Sequence, residues 1–281
     1  MSVRQEEWWM QYGEGMSAEL ERGLHAIEMM SHAPRGLTFT DIATALGASK
    51  GPTHRLLGEL TRLGYTRIDE FGRYHLTLKL MSHALQYLEL IPLVALAGPL
   101  LEDLAVASGE LARLNLVDGN HLVRVSKAQG RKSGLKYDPL HVHGGIMPFA
   151  STASGLLLLS SLSDDEAAVR LEAEGFALPD EYGSAAPRSI EEALNILNRA
   201  RTAGYLYVAN IYEEGIAALA YPIRAAGSSD IVGVLTVSGP SFRFTEEAAE
   251  RVLPVMEKIA GELGRMPVAD MLGSYVPTRV A

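Results

Sequence analysis

Between Ser17 and Ile91 the apolar positions switch from helical spacing to alternation and back again. Leu20, Leu24, Ile27 and Met30 recur at helical intervals and predict a first helix with one inward face. His32-Ala-Pro-Arg-Gly36 breaks it. Thr38-Phe-Thr-Asp41 has the form of a capping box and opens a short helix that turns Ile42, Ala45 and Leu46 inward and ends at Gly47. Ser49 stands as the N-cap of the next helix, its hydroxyl placed to accept from a free backbone N–H. Pro52 lies in the first turn, where a missing N–H costs little. Leu56, Leu60 and Leu63 give that helix an apolar stripe, and Gly64 is its C′ residue. Two short helices joined by so tight a turn make a helix-turn-helix. From Gly64 the period becomes two. Tyr65–Ile68 and Arg73–Thr77 read as strands joined by Asp69-Glu-Phe-Gly72, a wing. Leu78–Ile91 is helical again and stops at Pro92. Its Met81, Leu85 and Leu88 exceed what a free linker needs, so it is expected to pack on a partner helix, as in a dimer.

Beyond Pro92 helices and strands mix. A helix is predicted from about Val94 to Ser108. A hairpin follows, Ala112–Val117 and His121–Val125 around Asp118-Gly-Asn120. Gln129–Gly145 reads as a long loop with short strand pieces, and Ser151–Ser161 as a buried helix. Ser163 opens another helix, and Ser189 opens a third with capping-box spacing. Strands are predicted at Tyr205–Ala209, Gly215–Ile223 and Ile231–Gly239, and Thr245 starts a last helix to about Leu263. The order suggests an α+β domain, an antiparallel sheet with helices on its faces. The expected division is an arm at 1–16, a winged helix-turn-helix at 17–77, a linker helix at 78–93, a second domain at 94–265 and a tail at 266–281.

Charge sharpens this division. The chain of 281 residues has a formal net charge of -9, which as a whole argues against a nucleic-acid partner. Locally the sign reverses. From Ser49 to Lys79 the six cations Lys50, Arg55, Arg62, Arg67, Arg73 and Lys79 outnumber Glu59, Asp69 and Glu70. Lys50, Thr53, His54 and Arg55 cluster at the N-terminal end of the third helix, the part of a recognition helix that meets base edges and adjacent phosphates. Thr38 and Thr40 are expected to bond phosphate from the start of the preceding helix, and Arg73 from the wing. An ordinary surface helix with solvated charges is the competing reading of the same residues. The chain has 0 Cys, which removes thiolate metal sites and Cys nucleophiles and fits a reducing cytoplasm. There is no apolar run of membrane-spanning length, so no membrane partner is expected. No P-loop or dinucleotide fingerprint is present, and Ser151–Gly155 lacks a nucleophile-elbow frame. His141 and His143 share a strand face but lack a third ligand nearby; a surface or loop pair is the simpler reading. No cofactor, metal or catalytic residue is expected.

In Leu20-Glu-Arg-Gly-Leu24, in Thr38 through Tyr65 with Gly72-Arg-Tyr74, and in Gly204-Tyr205, Gly215-Ile216, Ala220-Tyr-Pro222 and Val237-Ser-Gly-Pro240, the chain resembles the IclR-type (isocitrate lyase regulator-type) transcription factors. The resemblance runs from about Ser17 to Gly264. It implies an N-terminal winged helix-turn-helix, a linker helix and a GAF-like effector-binding domain. It also implies dimers that pair into tetramers, and two-fold symmetric operator DNA. Carried over residue by residue, the family's pocket falls near Leu135, Ile146, Phe149, Thr152 and Ala153, and on strands at Val208, Ala218, Thr236 and Ser238. Relatives that bind keto acids tend to carry His at Phe149, an acid near Val208 and Cys at Ala218. This pocket is therefore expected to be less polar, with Thr236 and Ser238 presenting two hydroxyls on one strand face. The expectation is a ligand-responsive regulator, a repressor of a catabolic operon, whose small organic effector is an aromatic acid or an amide- or hydrazide-like compound. A small-molecule hydrolase, or a sensor that acts through protein partners, stays open as an alternative.

Overall fold

The computed structural model describes residues 18–119, 121–131, 133–139, 145, 147–176 and 181–266. The expected arm, most of the expected tail, and His141 and His143 lie outside them. The chain divides into two compact units, with the boundary between Leu90 and Ile91.

The first unit contains α1 (Ala18–Ser31), α2 (Phe39–Ala45), α3 (Lys50–Arg62), β1 (Thr66–Ile68), β2 (Tyr74–Leu76) and α4 (Lys79–Glu89). Its core gathers Ala26, Met30, Ile42, Leu57, Leu60 and Tyr74. The inward faces differ from those expected. In α1, Gly23, Ala26 and Met30 are buried, whereas Leu20 and Leu24 are exposed. Helix α3 packs against this face: a Cβ on Gly23 would lie 3.5 Å from Leu56 Cδ1, an ordinary contact distance. In α3 the buried set is Thr53, Leu56, Leu57 and Leu60, at i, i+3, i+4 and i+7, and Leu63 is 46% exposed. In α2 only Ile42 is buried, and Ala45 faces solvent. Ser49 caps α3 by its backbone conformation, without the expected side-chain bond. The C-terminal end forms a complete Schellman motif, with Gly64 at φ +78°: Gly64 N–H donates to Thr61 O (3.0 Å) and Tyr65 N–H to Leu60 O (2.9 Å). The wing pairs Thr66 with Leu76 and Ile68 with Tyr74, and Leu37 adds a bridge to Tyr74. No residue of α4 is buried within the unit, and Met81 and Leu85 are exposed.

The second unit runs α5 (Pro92–Ser108), β3 (Leu111–Asp118), β4 (His121–Gln129), α6 (Ala153–Leu159), α7 (Asp164–Glu174), α8 (Ile190–Ala203), β5 (Leu206–Ala209), β6 (Ile216–Arg224), β7 (Ile231–Pro240) and α9 (Glu246–Gly264). Pro92 therefore opens α5 as well as ending the helix before it, a position that suits a residue without an N–H. The strands form one antiparallel sheet in the order β4-β3-β7-β6-β5. Helices α5 and α9 pack together on one face; α6 covers the other, with α8 against α6. This is the α+β architecture expected. Every residue of α6 is buried. Among the described residues no helix is long and apolar enough to cross a membrane.

One irregularity in the sheet decides a side-chain direction. Leu114 pairs with Ser126, but Asn115 pairs with Arg124, leaving Val125 unopposed. This bulge sets Arg124 beside Asn115 on the face covered by α6, where regular pairing would have placed Arg124 opposite Leu116, on the α5 face.

Candidate functional site

In the first unit, the buried side of α3 fixes what its other side presents. Lys50, His54 and Arg55 are exposed near its N-terminal end. Arg55 Nε lies 3.6 Å from Glu19 Oε1, with both side chains mostly in solvent, so the pair holds Arg55 weakly. Thr53 is corrected: it is 1% exposed, and its hydroxyl donates to Ser49 O at 3.0 Å, so it belongs to the core stripe. Thr38 is engaged in its own cap. Its hydroxyl donates to Asp41 Oδ2 (2.7 Å) and accepts from Asp41 N–H (3.2 Å), and its N–H donates to the same carboxylate (3.0 Å). The cap therefore uses both donors that a phosphate would need. Thr40 is exposed at the start of the same helix. Arg73 is exposed beside the wing turn. Asp69 organises that turn: Oδ1 accepts from Phe71 N–H and Arg73 N–H, both at 2.9 Å, and Oδ2 lies 2.7 Å from His75 Nε2. The bond to His75, and then the Arg73 N–H, hold the Asp69 carboxyl below the ordinary carboxylate range.

The second unit has a partly open cavity between the sheet and the N-terminal end of α6. Thr152, Ala153, Val208, Ala218, Thr236 and Ser238 line it. Strand register explains the grouping, because Ser238 pairs with Ala218, and Ala218 with Val208. Two expected residues are not on it. Leu135 is exposed, and its carbonyl accepts from Arg243 Nη2 at 3.2 Å. Phe149 packs on the core with its N–H on the Glu174 carboxylate (2.9 and 3.0 Å) and its ring 6.0 Å from Arg170 Cζ. Ile146 lies outside the described residues.

The cavity is not the weakly polar one expected. Arg113 of β3 and Arg124 of β4 line it, 6% and 8% exposed. Arg113 Nε and Nη2 and Arg124 Nε have no hydrogen-bond partner among the described residues. Arg124 Nη2 points at Met147 Sδ, 2.8 Å away. Burial, followed by the charge of Arg113, brings Arg124 down to about 10, and burial also lowers Arg113. Both are cationic at neutral pH. The Tyr137 ring sits with its centroid 5.3 Å from Arg113 Cζ, and burial pushes its phenol up to about 12 despite that cation. Gln129 Nε2 holds the Tyr137 carbonyl at 2.9 Å. Arg243 holds the neighbouring Leu135 carbonyl while its guanidinium grips the buried Glu110 carboxylate (Nη2–Oε2 2.9 Å). These bonds fasten the segment that lays Tyr137 over Arg113. Ser154, Ile211, Tyr212 and Ile216 complete the wall.

The family description Bacterial transcriptional regulator IclR C-terminal matches residues 85–265, and IclR helix-turn-helix domain matches 19–70. The chain belongs to the IclR family. It is 31% identical over 238 residues to the glycerol operon regulatory protein of Streptomyces coelicolor, spanning 83% of this chain and 88% of that one. Among solved structures it resembles the IclR regulator of Alicyclobacillus acidocaldarius (TM-score 0.76, 22% identity, 89% and 98% of the two chains). It also resembles an IclR homologue of Microbacterium hydrocarbonoxydans complexed with 4-hydroxybenzoate (TM-score 0.71, 20% identity, 87% and 98%). As an IclR-family transcriptional regulator it pairs a DNA-binding unit with an effector-binding domain. Sequence reasoning missed Arg113, Arg124, Tyr137 and Met147 within that domain. One signal was available: Arg113 and Asn115 alternate with Ala112, Leu114 and Leu116, the pattern of a strand with one polar face. Alternation alone reads that face as solvated.

Proposed function

We propose that this IclR-family protein binds operator DNA through α3 and the wing, and that a small organic acid in the sheet cavity controls that binding. The observation that carries the DNA half is the exposed cluster Lys50, His54 and Arg55 on a helix whose other side is locked into a core by Leu56, Leu57 and Leu60. Thr40 and Arg73 add phosphate contacts that set register. One module offers few contacts, so two protomers read two half-sites. The cationic cavity favours an acid over an amide or hydrazide, and the benzoate ligand of the Microbacterium homologue is of that chemical kind. The effector shifts DNA affinity by binding the DNA-competent and incompetent arrangements unequally. In this reading the protein represses a catabolic operon until its effector arrives.

Footprinting on the promoter regions beside its own gene, followed by anisotropy titration, tests this. Arg55→Ala is expected to lose about 1–3 kcal/mol of DNA affinity if the guanidinium meets a guanine, and to leave thermal unfolding unchanged. DNA binding that neither falls with Arg55→Ala nor weakens with salt would sink the reading.

A further inference from the structure

The effector cavity holds two buried cations and, among the described residues, no acid to match them. Two carboxylates nearby are already engaged, and Glu213, near Tyr137, does not line the cavity. Glu110 is bound to Arg243, and Asp138 to Lys127 and Lys136. Burying a charge without a partner is costly, and a second like charge in the same pocket raises the cost.

The unpartnered atoms also have a definite shape. Nε and Nη2 of a guanidinium point the same way and form the side-on fork that takes both oxygens of one carboxylate. On Arg113 both tines of that fork are without a partner. On Arg124 one tine is without a partner and the other meets only Met147 Sδ, a weak acceptor on a flexible side chain. A carboxylate oxygen outcompetes a thioether for that donor, and Met147 can swing aside. The forks stand on adjacent strands, and the bulge at Val125 brings the second onto the face of the first. A single negative charge would leave one guanidinium uncompensated.

We propose that the ligand of this cavity is a small organic dianion, a compact dicarboxylate with one carboxylate on Arg113 and the other on Arg124. This rests on reading the cavity as the effector site, and it narrows the effector from an acid to a diacid. Val208, Ile211 and Ala218 bound the carbon skeleton, and the Thr236 and Ser238 hydroxyls remain for neutral hydrogen bonds. The cavity measures about 40 Å³, against the ~150 Å³ that houses a benzene ring. A short-chain diacid therefore needs less rearrangement than an aromatic one. A phosphate monoester carries the same double charge on a tetrahedral group, which two separated planar forks fit less well.

The test is calorimetry on the full chain with matched pairs: succinate against butyrate, phthalate against benzoate, and glycerol phosphate against glycerol. At least one dicarboxylate is expected to bind 100-fold or more tightly than its monoacid partner. Arg113→Met and Arg124→Met are each expected to cut that binding 30-fold or more and to bring the diacid-to-monoacid ratio near one. Each should unfold no earlier than the parent protein, since each removes an uncompensated charge. The comparison on the unaltered protein stands even if a variant fails to fold. A monoacid that binds as tightly as its diacid overturns the dianion and leaves the effector site intact. Glycerol phosphate binding in place of the dicarboxylates overturns the assignment of one planar carboxylate to each fork. Equal binding of succinamide and succinate overturns the acid reading of the site together with the dianion.

Discussion

The two units keep their functional charge in opposite places. In the first, Lys50, Arg55 and Arg73 lie in solvent on a scaffold whose core is mostly apolar and buries no charge. In the second, Arg113 and Arg124 lie inside, in the cavity beside the start of α6, with donors left over. The difference follows the size of the partner. A DNA duplex presents its charge along an outer surface, and long cationic side chains reach it best from water. A small anion gains most from donors that have already left water, where each hydrogen bond is stronger and the geometry is set beforehand. The protein bears the cost of desolvation in the second case and avoids it in the first.

Changes that strip a charge partner should therefore cost much in the second unit and little in the first. Among these charge-partner changes the largest effect is expected from Arg243→Met. It strands the buried Glu110 carboxylate and frees the Leu135 carbonyl, at a cost of about 3 kcal/mol, the low end for a buried pair because Arg243 is partly exposed. Chemical denaturation of the protein reads this directly, and a loss below 1 kcal/mol would mean that water replaces the pair. Removing Glu19 from Arg55, the surface counterpart of that change, should alter stability by less than ~0.5 kcal/mol.

Leu57→Ala sharpens the comparison from the apolar side. Leu57 is fully buried in the small first core, so about 2–4 kcal/mol is expected, enough to unfold much of that unit. DNA binding should fall while ligand binding persists, since the second unit has its own core; parallel loss of both would show that the units fold as one. Thr38→Ala should cost about 1 kcal/mol by removing one side of the α2 capping box, with a matching drop in melting temperature and a DNA affinity otherwise unchanged. A large loss of DNA affinity in the stably folded variant would restore Thr38 as a phosphate contact.

The smallest effect is one of pH. The Asp69 carboxyl is held below its unfolded value, so its contribution to the wing is present above the unfolded pKa and is lost as pH falls through the folded one. Asp69→Asn should therefore weaken wing order at neutral pH and flatten its loss in acid. Amide exchange at Phe71 and Arg73 reads both. Exchange equally slow in the variant would assign the turn to backbone bonds alone.

How much could be read beforehand also differs between the units. The helix-turn-helix was legible because its signals are local: the Thr38–Asp41 box, Pro52 in the first turn of α3, and Gly64 at its end. What failed there was rotation about the helix axis. Leu20, Leu24 and Leu63 have the right residue type for a core but stand beside the contact line that Gly23 and Thr53 occupy. In the second unit the strands were legible from alternation and the helix starts from their caps. The cavity was legible only in part. Thr236, Ser238, Val208 and Ala218 were placed on strands that do line it, while Leu135 and Phe149 lie elsewhere.

By itself, then, the sequence determined the elements, their order, the basic module and the family. Those depend on interactions within a few residues, on caps, turns and periods. Only the tertiary structure decided that Arg113 and Arg124 share one pocket. Their approach needs the pairing of β3 with β4, a one-residue bulge at Val125 that turns Arg124 to the inner face, and the N-terminal end of α6 brought to the same cavity. A strand's own pattern says which residues share a face. Whether that face meets water or a protein interior depends on what packs against it from elsewhere in the chain, as Tyr137 does on Arg113 and Met147 on Arg124.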